Sequence, residues 1–295
     1  LESPLGLGYS ICGAELLLGP VVPSNTARGG GILAPIVQSI STALDSHPNK
    51  NPEKAGKFLT LVGAHANLIT AAMFLTGMAA NPLVAAAASD VFNVDFSWGT
   101  WALGAIVPGL IGLALLPLVI SWISKPSLSD TSAAQKAAEE ELENMGAWSK
   151  GEIIMGIVFV LLLALWITKP IHGIHTTTVA WMGVLALLIT GTEQWDDIIG
   201  NRKAWDTMIW LGGLLTMANM LKVYGFIGWF ATNIGDLVMG IDGMVLLVII
   251  ALIYFYSMYL FSMLTAHIAA MAGLFFALLL TTNVPPLVTI ALIAY

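Results

Sequence analysis

The composition of this 295-residue chain is that of a membrane protein. Hydrophobic residues make up 57% of it, charged residues only 10%, and the mean hydropathy is +0.85. Soluble proteins average about 45–50% apolar and about 25% charged residues, so a soluble domain is excluded. The net charge of −7 rests mostly on loop carboxylates and indicates no nucleic-acid partner, and the single cysteine, Cys12, excludes a disulfide within the chain. We therefore expect an all-α, multi-pass membrane protein.

A polar segment separates two short apolar arms near the start of the chain. Residues 9–22 and 27–43 form arms of fourteen and seventeen residues, which as helices reach only ~21–25 Å against a hydrocarbon core of ~30 Å. Between them the chain reads Pro-Ser-Asn-Thr-Ala-Arg-Gly-Gly-Gly over residues 23–31. Irregular backbone at membrane depth is tolerated only where it faces protein or a cavity. The pattern predicts a re-entrant hairpin over residues 9–43 whose tip faces a site.

The next apolar stretch predicts a broken helix over residues 58–88. It is interrupted by Thr-Gly-Met-Ala-Ala-Asn-Pro at residues 76–82, and glycine followed by Asn-Pro stops a helix. A span near residues 101–123 and a polar connector at 125–150 follow. Further spans are predicted near 153–167, 177–189 and 207–221.

A second pair of apolar arms lies at residues 243–261 and 266–280. Thr265-Ala266-His267 between them resembles Thr26-Ala27-Arg28 of the first tip, since each has Thr-Ala followed by a basic residue type. The nineteen residues of 243–261 are also long enough for a full span. We expect an outward-opening hairpin over about 243–281, so that residues 1–124 and 151–295 hold two inverted repeats.

Lysine and arginine indicate the orientation. Eight of the eleven basic residues lie in the loops 45–57, 124–151 and 192–206, whereas the loops of the opposite side hold only Lys169 and Lys222. By the positive-inside rule the first three loops are cytoplasmic, which makes the first hairpin inward-opening. The chain begins without Met and stops within an apolar run, so we also expect it to be a fragment that lacks spans at both ends.

These motifs resemble the divalent anion:sodium symporter family, in its branch of bacterial citrate, tartrate and succinate exchangers and plastid 2-oxoglutarate/malate translocators. The resemblance rests on residues 23–31 with Pro35-Ile36, on residues 76–82 and on Leu264-Thr265-Ala266-His267. It implies a bacterial inner-membrane carrier of di- or tricarboxylates that forms a homodimer and works by an elevator-like movement. No cofactor is implied other than Na⁺.

The resemblance also implies roles for the tip residues. Ser24, Asn25 and Thr26 would bind a substrate carboxylate, and Ser24, Asn25 and the backbone oxygen of Gly77 would ligate sodium. Thr265 would bind substrate at the second tip. There Met263 and Leu264 replace the Ser and Asn of the family pattern, and neither side chain ligates a hard cation. A second sodium site is therefore not expected.

Three ionisable residues keep two interpretations each. Arg28 at membrane depth either lies near the substrate or forms an ion pair, for example with Glu15. Glu15 is then that partner or takes part in transport. His267 is either a substrate donor or a packing histidine with a satisfied hydrogen bond. His172 and His175 have the spacing of metal ligands but no neighbouring Cys or carboxylate, so no metal site is predicted.

The pattern favours a secondary carrier over a channel or an enzyme. Two opposed hairpins and a broken helix are typical of carriers, whereas the tips do not resemble a filter of backbone carbonyl rings. No nucleophile with a base is visible in sequence, so no enzymatic activity is expected. Without a second sodium site, the anion's charge is most simply balanced by exchange of one carboxylate for another; sodium-coupled symport is the alternative.

The topology can be tested with single cysteines. Cysteines at Lys54, Lys136 and Lys203 are expected to react with an impermeant maleimide only from the cytoplasm, and one at Asp95 only from outside, because the basic loops share one side. Reaction of the cysteines at Lys54 and Asp95 from the same side would contradict the assigned spans.

Overall fold

The computed structural model describes residues 3–94, 96–237, 240–261, 264–280 and 284–294, and these residues form helices and no strand. Asp95, Ser262 and Met263 lie outside the described residues. In chain order the helices are α1 Pro4–Leu18, α2 Ala34–Ala43, α3 Gly56–Met73, α4 Asn81–Phe92, α5 Trp98–Ile123, α6 Ser132–Met145, α7 Lys150–Ile167, α8 Lys169–His172, α9 Thr176–Ile189, α10 Trp195–Ile199, α11 Arg202–Val223, α12 Phe226–Leu237, α13 Gly243–Ser257, α14 Leu264–Leu279 and α15 Pro286–Ala294. A π-helical segment, Ala27–Leu33, leads into α2, and a 3₁₀ turn, Met258–Leu260, follows α13.

The predicted all-α class is confirmed, and the helices have the lengths of a membrane protein. Within the described residues, three helices are long and apolar enough to cross a bilayer: Trp98–Ile123, Lys150–Ile167 and Gly243–Leu260. Shorter apolar helices accompany them at Pro4–Leu18, Thr176–Ile189 and Leu264–Leu279. The re-entrant hairpins and the inverted repeat stay predictions.

The chain divides into two compact units that do not follow chain order. The first comprises Leu1–Met78 and Trp98–Phe159, and the second comprises Ala79–Ser97 and Val160–Tyr295. The two helices of the predicted broken helix, α3 and α4, therefore belong to different units.

Helix α3 is the centre of the first unit, where α1, α2, the π-helical segment and α5 pack on it. Its buried face is formed by Phe58, Leu59, Val62, Ala66, Thr70 and Met73. Glycines on the neighbouring helices allow close approach. A Cβ at Gly109 of α5 would overlap Met73, and one at Gly8 of α1 would come within 3.0 Å of Phe58. The first unit thus holds the tip residues against one buried helix.

The end of α3 depends on Gly77. Phe74 is extended, and the Gly77 amide donates to the Phe74 carbonyl at 2.7 Å. A Cβ at Gly77 would lie only 2.6 Å from the Ala71 carbonyl and 2.9 Å from that of Thr70. Only glycine fits this close to the last carbonyls of α3, so Gly77 lets the turn after Met73 fold back against the helix end.

Helix α14 is the centre of the second unit and packs against α4, α11, α12, α13 and α15. Its buried residues include His267, Ala272 and Phe276. The ring of Phe276 contacts Phe92 of α4 edge-on, with centroids 5.4 Å apart. The predicted second pair of arms corresponds to α13 and α14.

Candidate functional site

The first tip is a helix N-terminus. The Ser24 hydroxyl accepts a hydrogen bond from the Ala27 amide at 3.2 Å, and the Ser24 carbonyl accepts one from the Arg28 amide at 2.9 Å. Ser24 therefore caps the helix that begins at Asn25. Asn25 is half-buried and Thr26 is exposed. Their side chains are free to meet a ligand at the positive end of the helix dipole.

The helix that follows the tip starts with a π-helical segment, Ala27–Leu33. The Ala34 amide donates to the Gly29 carbonyl, five residues earlier. Three consecutive glycines, Gly29 to Gly31, make this wider turn accessible, and short π-helical turns are frequent at functional sites. A Cβ at Gly29 would lie 3.0 Å from the Asn67 side chain. The glycine therefore lets the segment approach α3 closely.

Arg28 forms a buried ion pair with Glu15. Its Nε donates to Glu15 Oε2 at 2.7 Å, and both side chains are fully buried. Of the two interpretations left open by the sequence, the structure therefore favours the ion pair. Without the other, each of these buried charges would cost roughly several kcal/mol in desolvation.

The other guanidinium nitrogens also have acceptors. Nη1 donates to the carbonyls of Val22 at 3.0 Å and Gly77 at 3.1 Å, and Nη2 donates to the Thr70 hydroxyl at 3.2 Å and the Asn67 carbonyl at 3.4 Å. These four contacts and the one to Glu15 account for the five N–H donors of an arginine. A substrate carboxylate could reach Arg28 only by displacing them.

The Glu15 carboxylate also accepts hydrogen bonds from two side chains of α3. Its Oε1 accepts from the Asn67 amide nitrogen at 3.0 Å, and its Oε2 accepts from the Thr70 hydroxyl at 2.8 Å. We call Glu15, Arg28, Asn67 and Thr70 the buried cluster. It joins α1, the π-helical segment and α3, and through the carbonyls of Val22 and Gly77 it also fixes the turn before the tip and the break after α3.

The oxygens predicted to ligate sodium are partly engaged by other groups. The Gly77 carbonyl accepts from the Arg28 guanidinium, which places a positive group beside that oxygen. The Ser24 hydroxyl accepts from the Ala27 amide. Each of these oxygens keeps a second lone pair, so the sodium role of Ser24, Asn25 and Gly77 stays a prediction.

A cleft of about 1010 Å³ runs beside the tip, between the helix of residues 25–43 and α3. Asn25 and Thr26 line one end of it, where Asn67 also reaches its wall. Apolar residues such as Leu33, Ala34 and Ala64 line it between its ends, and residues of the loop after α2 line the other end. Ser24, Glu15 and Arg28 do not line the cleft. Its geometry therefore separates Asn25 and Thr26, which face the cavity, from the charged residues behind them.

The loop at the far end is organised by Asp45. Lys54 Nζ donates to Asp45 Oδ2 at 2.7 Å and Lys50 Nζ to Oδ1 at 3.3 Å. These hydrogen bonds, that of Lys54 foremost, lower the pKa of Asp45 to about 2. Two lysines of this loop thus have their charge partly matched by an exposed carboxylate.

The second tip belongs to the second unit and centres on His267. The imidazole is buried, and its Nε2 lies 2.8 Å from the Ser257 hydroxyl. Tyr254 and Phe261 flank the ring, with centroids 4.5 and 5.1 Å away. Thr265 is half-buried on the same helix. The Nε2 hydrogen bond and the packing agree with the second interpretation given above, but the buried Nδ1 has no partner among the described residues. The role of His267 toward substrate stays a prediction, as does that of Thr265.

Sequence reasoning identified the tip residues and named Glu15 as a partner for Arg28, but it missed Asn67 and Thr70. Both lie on the buried face of α3, three residues apart, in an otherwise apolar helix. Polar side chains that share the buried face of an apolar helix need partners there. That spacing was the signal that could have identified them.

The model of the family described as sodium:sulfate symporter transmembrane region matches residues 2–295. YflS of Bacillus subtilis (strain 168), a candidate malate transporter by its name, is 44% identical over 295 residues, 100% of this chain and 62% of that protein. Dicarboxylate transporter 1 of Arabidopsis thaliana, chloroplastic, is 37% identical over 297 residues, 100% of this chain and 53% of that protein. The L-tartrate/succinate antiporter of Escherichia coli (strain UTI89 / UPEC) is 32% identical over 284 residues, 96% of this chain and 58% of that protein.

These relatives are much longer than the present chain. It spans only 53% to 62% of the length of the three proteins named here. Any transport activity therefore has to be assigned to the whole protein.

The buried ion pair leads to a stability prediction. Glu15→Gln keeps the shape of the side chain but leaves the Arg28 charge buried without a counter-charge, which typically costs about 3–5 kcal/mol. We expect a markedly lower unfolding temperature of the detergent-purified protein, measured by differential scanning fluorimetry. Asp45→Asn is the control, because it removes an exposed carboxylate and should change that temperature little. Equal unfolding temperatures for Glu15→Gln and the wild type would show that the pair does not hold the first unit together.

Proposed function

This chain belongs to the divalent anion:sodium symporter family, and we propose that it is the part of a secondary active transporter that binds and moves dicarboxylates. The family match over residues 2–295 confirms the resemblance inferred from the three motifs. The three named relatives are described as transporters of malate, dicarboxylates, or tartrate and succinate. Tricarboxylates such as citrate remain in the predicted substrate class.

The observation that carries this proposal is the position of Asn25 and Thr26. Both lie at the N-terminus of a helix, and both line the end of a large cleft. An amide and a hydroxyl supply neutral donors there, and the helix dipole favours a negative ligand. We infer that one substrate carboxylate binds at this tip. Ser24 supports the tip by capping the helix, and Thr265 stays the predicted donor for the other carboxylate.

Arg28 contributes through its charge and its contacts rather than by touching substrate. Its guanidinium lies in the buried cluster, where Glu15 matches its charge. The tip is thereby held in one conformation, and its neutral donors can release the anion as readily as they bind it. A carrier requires such reversible binding, because an unmatched buried arginine at the site would retain a carboxylate strongly.

Exchange of one carboxylate for another is the mode that we favour. The Gly77 carbonyl, which the family resemblance assigns to sodium, already accepts a hydrogen bond from Arg28, whose own charge is matched by Glu15. Such a carrier crosses the membrane most easily with anion bound in both directions. The name of the Escherichia coli relative, an antiporter, supports the same mode. Sodium-coupled symport is the alternative, supported by the family description.

The setting follows from the same family. The chain is part of a multi-pass integral membrane protein, since its long apolar helices and its transporter family agree. We place it in a bacterial inner membrane. Homodimerisation and an elevator-like movement are implied by the resemblance and stay predictions.

Removal of the tip donors is expected to weaken carboxylate binding strongly. Asn25→Ala and Thr26→Ala each remove one donor with little loss of apolar packing, and a hydrogen bond to a charged ligand is worth about 1.5–3 kcal/mol. Affinity for succinate or malate should fall ~10- to 150-fold. Uptake by proteoliposomes that contain the full-length protein measures this effect.

Ser10→Ala is the matched control for the tip variants. It also removes a hydroxyl, but this one bonds to the Gly6 carbonyl on α1, away from the cleft. Transport should remain at the wild-type level. Unchanged uptake by both tip variants would exclude this tip from the site.

Exchange and symport differ in what drives uptake. With exchange, internal malate should stimulate uptake of labelled succinate more than an inward sodium gradient does, because each turnover needs an outgoing anion. Proteoliposomes loaded with malate or with buffer, assayed with sodium or choline outside, separate the two. A steep sodium dependence without any effect of internal malate would establish the symport mode instead.

A further inference from the structure

The cleft has two polar ends that are far apart. Asn25 and Thr26 mark the tip end, and Lys57, Gln38 and Thr60 line the opposite end. Twelve residues of helix separate Thr26 from Gln38, and ten separate Lys57 from Asn67, which corresponds to ~15–18 Å along each helix. One four-carbon dicarboxylate cannot reach both ends. A ligand at the loop end therefore occupies a position distinct from the tip.

Lys57 differs from the other lysines of its loop. It lies in the first turn of α3 and lines the cleft, whereas Lys50 and Lys54 bind Asp45 and lie outside the lining. Within the described part of the chain, no carboxylate lies within ion-pair distance of the Lys57 ammonium. Lys57 is thus the lysine of this loop whose charge is directed to the cleft and is not matched by a protein carboxylate.

We propose that Lys57, with the side chains of Gln38 and Thr60, forms a second carboxylate-binding position at the loop end of the cleft. It holds the dicarboxylate on its way between the cytoplasm and the tip. The proposal rests on the proposed transport function and on the predicted cytoplasmic side of the loop 45–57. It assigns a role to residues that are not part of the tip.

The chemistry of the three side chains fits a carboxylate. The ammonium of Lys57 supplies the charge, and the Gln38 amide and the Thr60 hydroxyl supply neutral donors from the two facing helices. All three side chains are exposed to the cleft or to solvent, so the position stays hydrated and binds weakly. Weak binding suits a position from which the anion must move on.

Because the middle of the cleft is apolar, a binding position at its loop end helps an anion to enter. Leu33, Ala34 and Ala64 lie between the two ends and have no side-chain donor for an anion, so their side chains do not hold a carboxylate there. Walls of low dielectric strengthen the field of a single charge at the opening and raise the local anion concentration. Lys57 therefore increases the rate at which substrate reaches the tip from that side.

The test compares Lys57→Gln with Lys50→Gln in the full-length protein. Inverted membrane vesicles expose the cytoplasmic face and right-side-out vesicles the other face, and the KM for succinate is measured in both. We expect Lys57→Gln to raise the KM about fivefold in inverted vesicles, the value of an ordinary exposed ion pair, and to leave it unchanged in right-side-out vesicles. Lys50→Gln should change neither value, although it removes the same charge from the same loop. Lys57→Arg should retain the wild-type KM.

Ionic strength gives a second readout. Choline chloride should raise the wild-type KM at the cytoplasmic face by screening Lys57, and Lys57→Gln should be nearly insensitive to it. Thr60→Val, which removes one hydroxyl at almost constant volume, should raise the same KM by a smaller factor. This variant also provides an answer if Lys57→Gln is poorly expressed.

Several outcomes would overturn the proposal. An equal effect of Lys50→Gln and Lys57→Gln would show a general surface-charge effect. An equal KM increase at both faces would place Lys57 in the machinery of the tip or of the moving protein. An effect in phosphatidylglycerol proteoliposomes that is lost in phosphatidylcholine would mean that Lys57 binds a lipid headgroup. If the wild type moves no dicarboxylate in either vesicle, the proposed function fails as well, and that result is distinct from the other three.

Discussion

The ion pair between Arg28 and Glu15 is the interaction on which the first unit depends. It places one positive and one negative charge where water is excluded, so each charge requires the other. Because Arg28 also donates to carbonyls of the tip turn and of the α3 break, four separate segments meet at one guanidinium. The tip is therefore positioned by charge pairing behind it rather than by the residues that line the cleft.

This division of labour suits the proposed transport function. A carboxylate held by an unmatched buried arginine would bind tightly and leave slowly, which prevents turnover. In this structure the arginine is saturated by the protein, and the residues that face the cleft, Asn25 and Thr26, are neutral. The same guanidinium donates to the Gly77 carbonyl, so the break after α3 is fixed together with the tip.

The sequence predicted the helical class, the family, the polar tip and the break at Gly77, because each depends on local rules. Glycine among small residues followed by Asn-Pro favours the end of a helix, and a polar tip between short apolar arms has few alternatives in a membrane. The partners of Arg28 could not be derived in this way. Asn67 and Thr70 are about forty residues away in sequence, and only the packing of α3 against the π-helical segment brings them to the guanidinium.

The contrast between Arg28 and Lys57 shows how one sign of charge serves two purposes. Arg28 is buried, planar and fully paired, and its five donors fit a set of fixed acceptors in the fold. Lys57 is exposed and lines the cleft on a flexible stem, which suits the proposed weak attraction of anions. A lysine could not replace Arg28, because one ammonium group cannot fill five directed contacts with fixed acceptors. The surroundings of each cation therefore decide its role: Arg28 is held by the buried cluster behind the tip, and Lys57 remains open to the cleft.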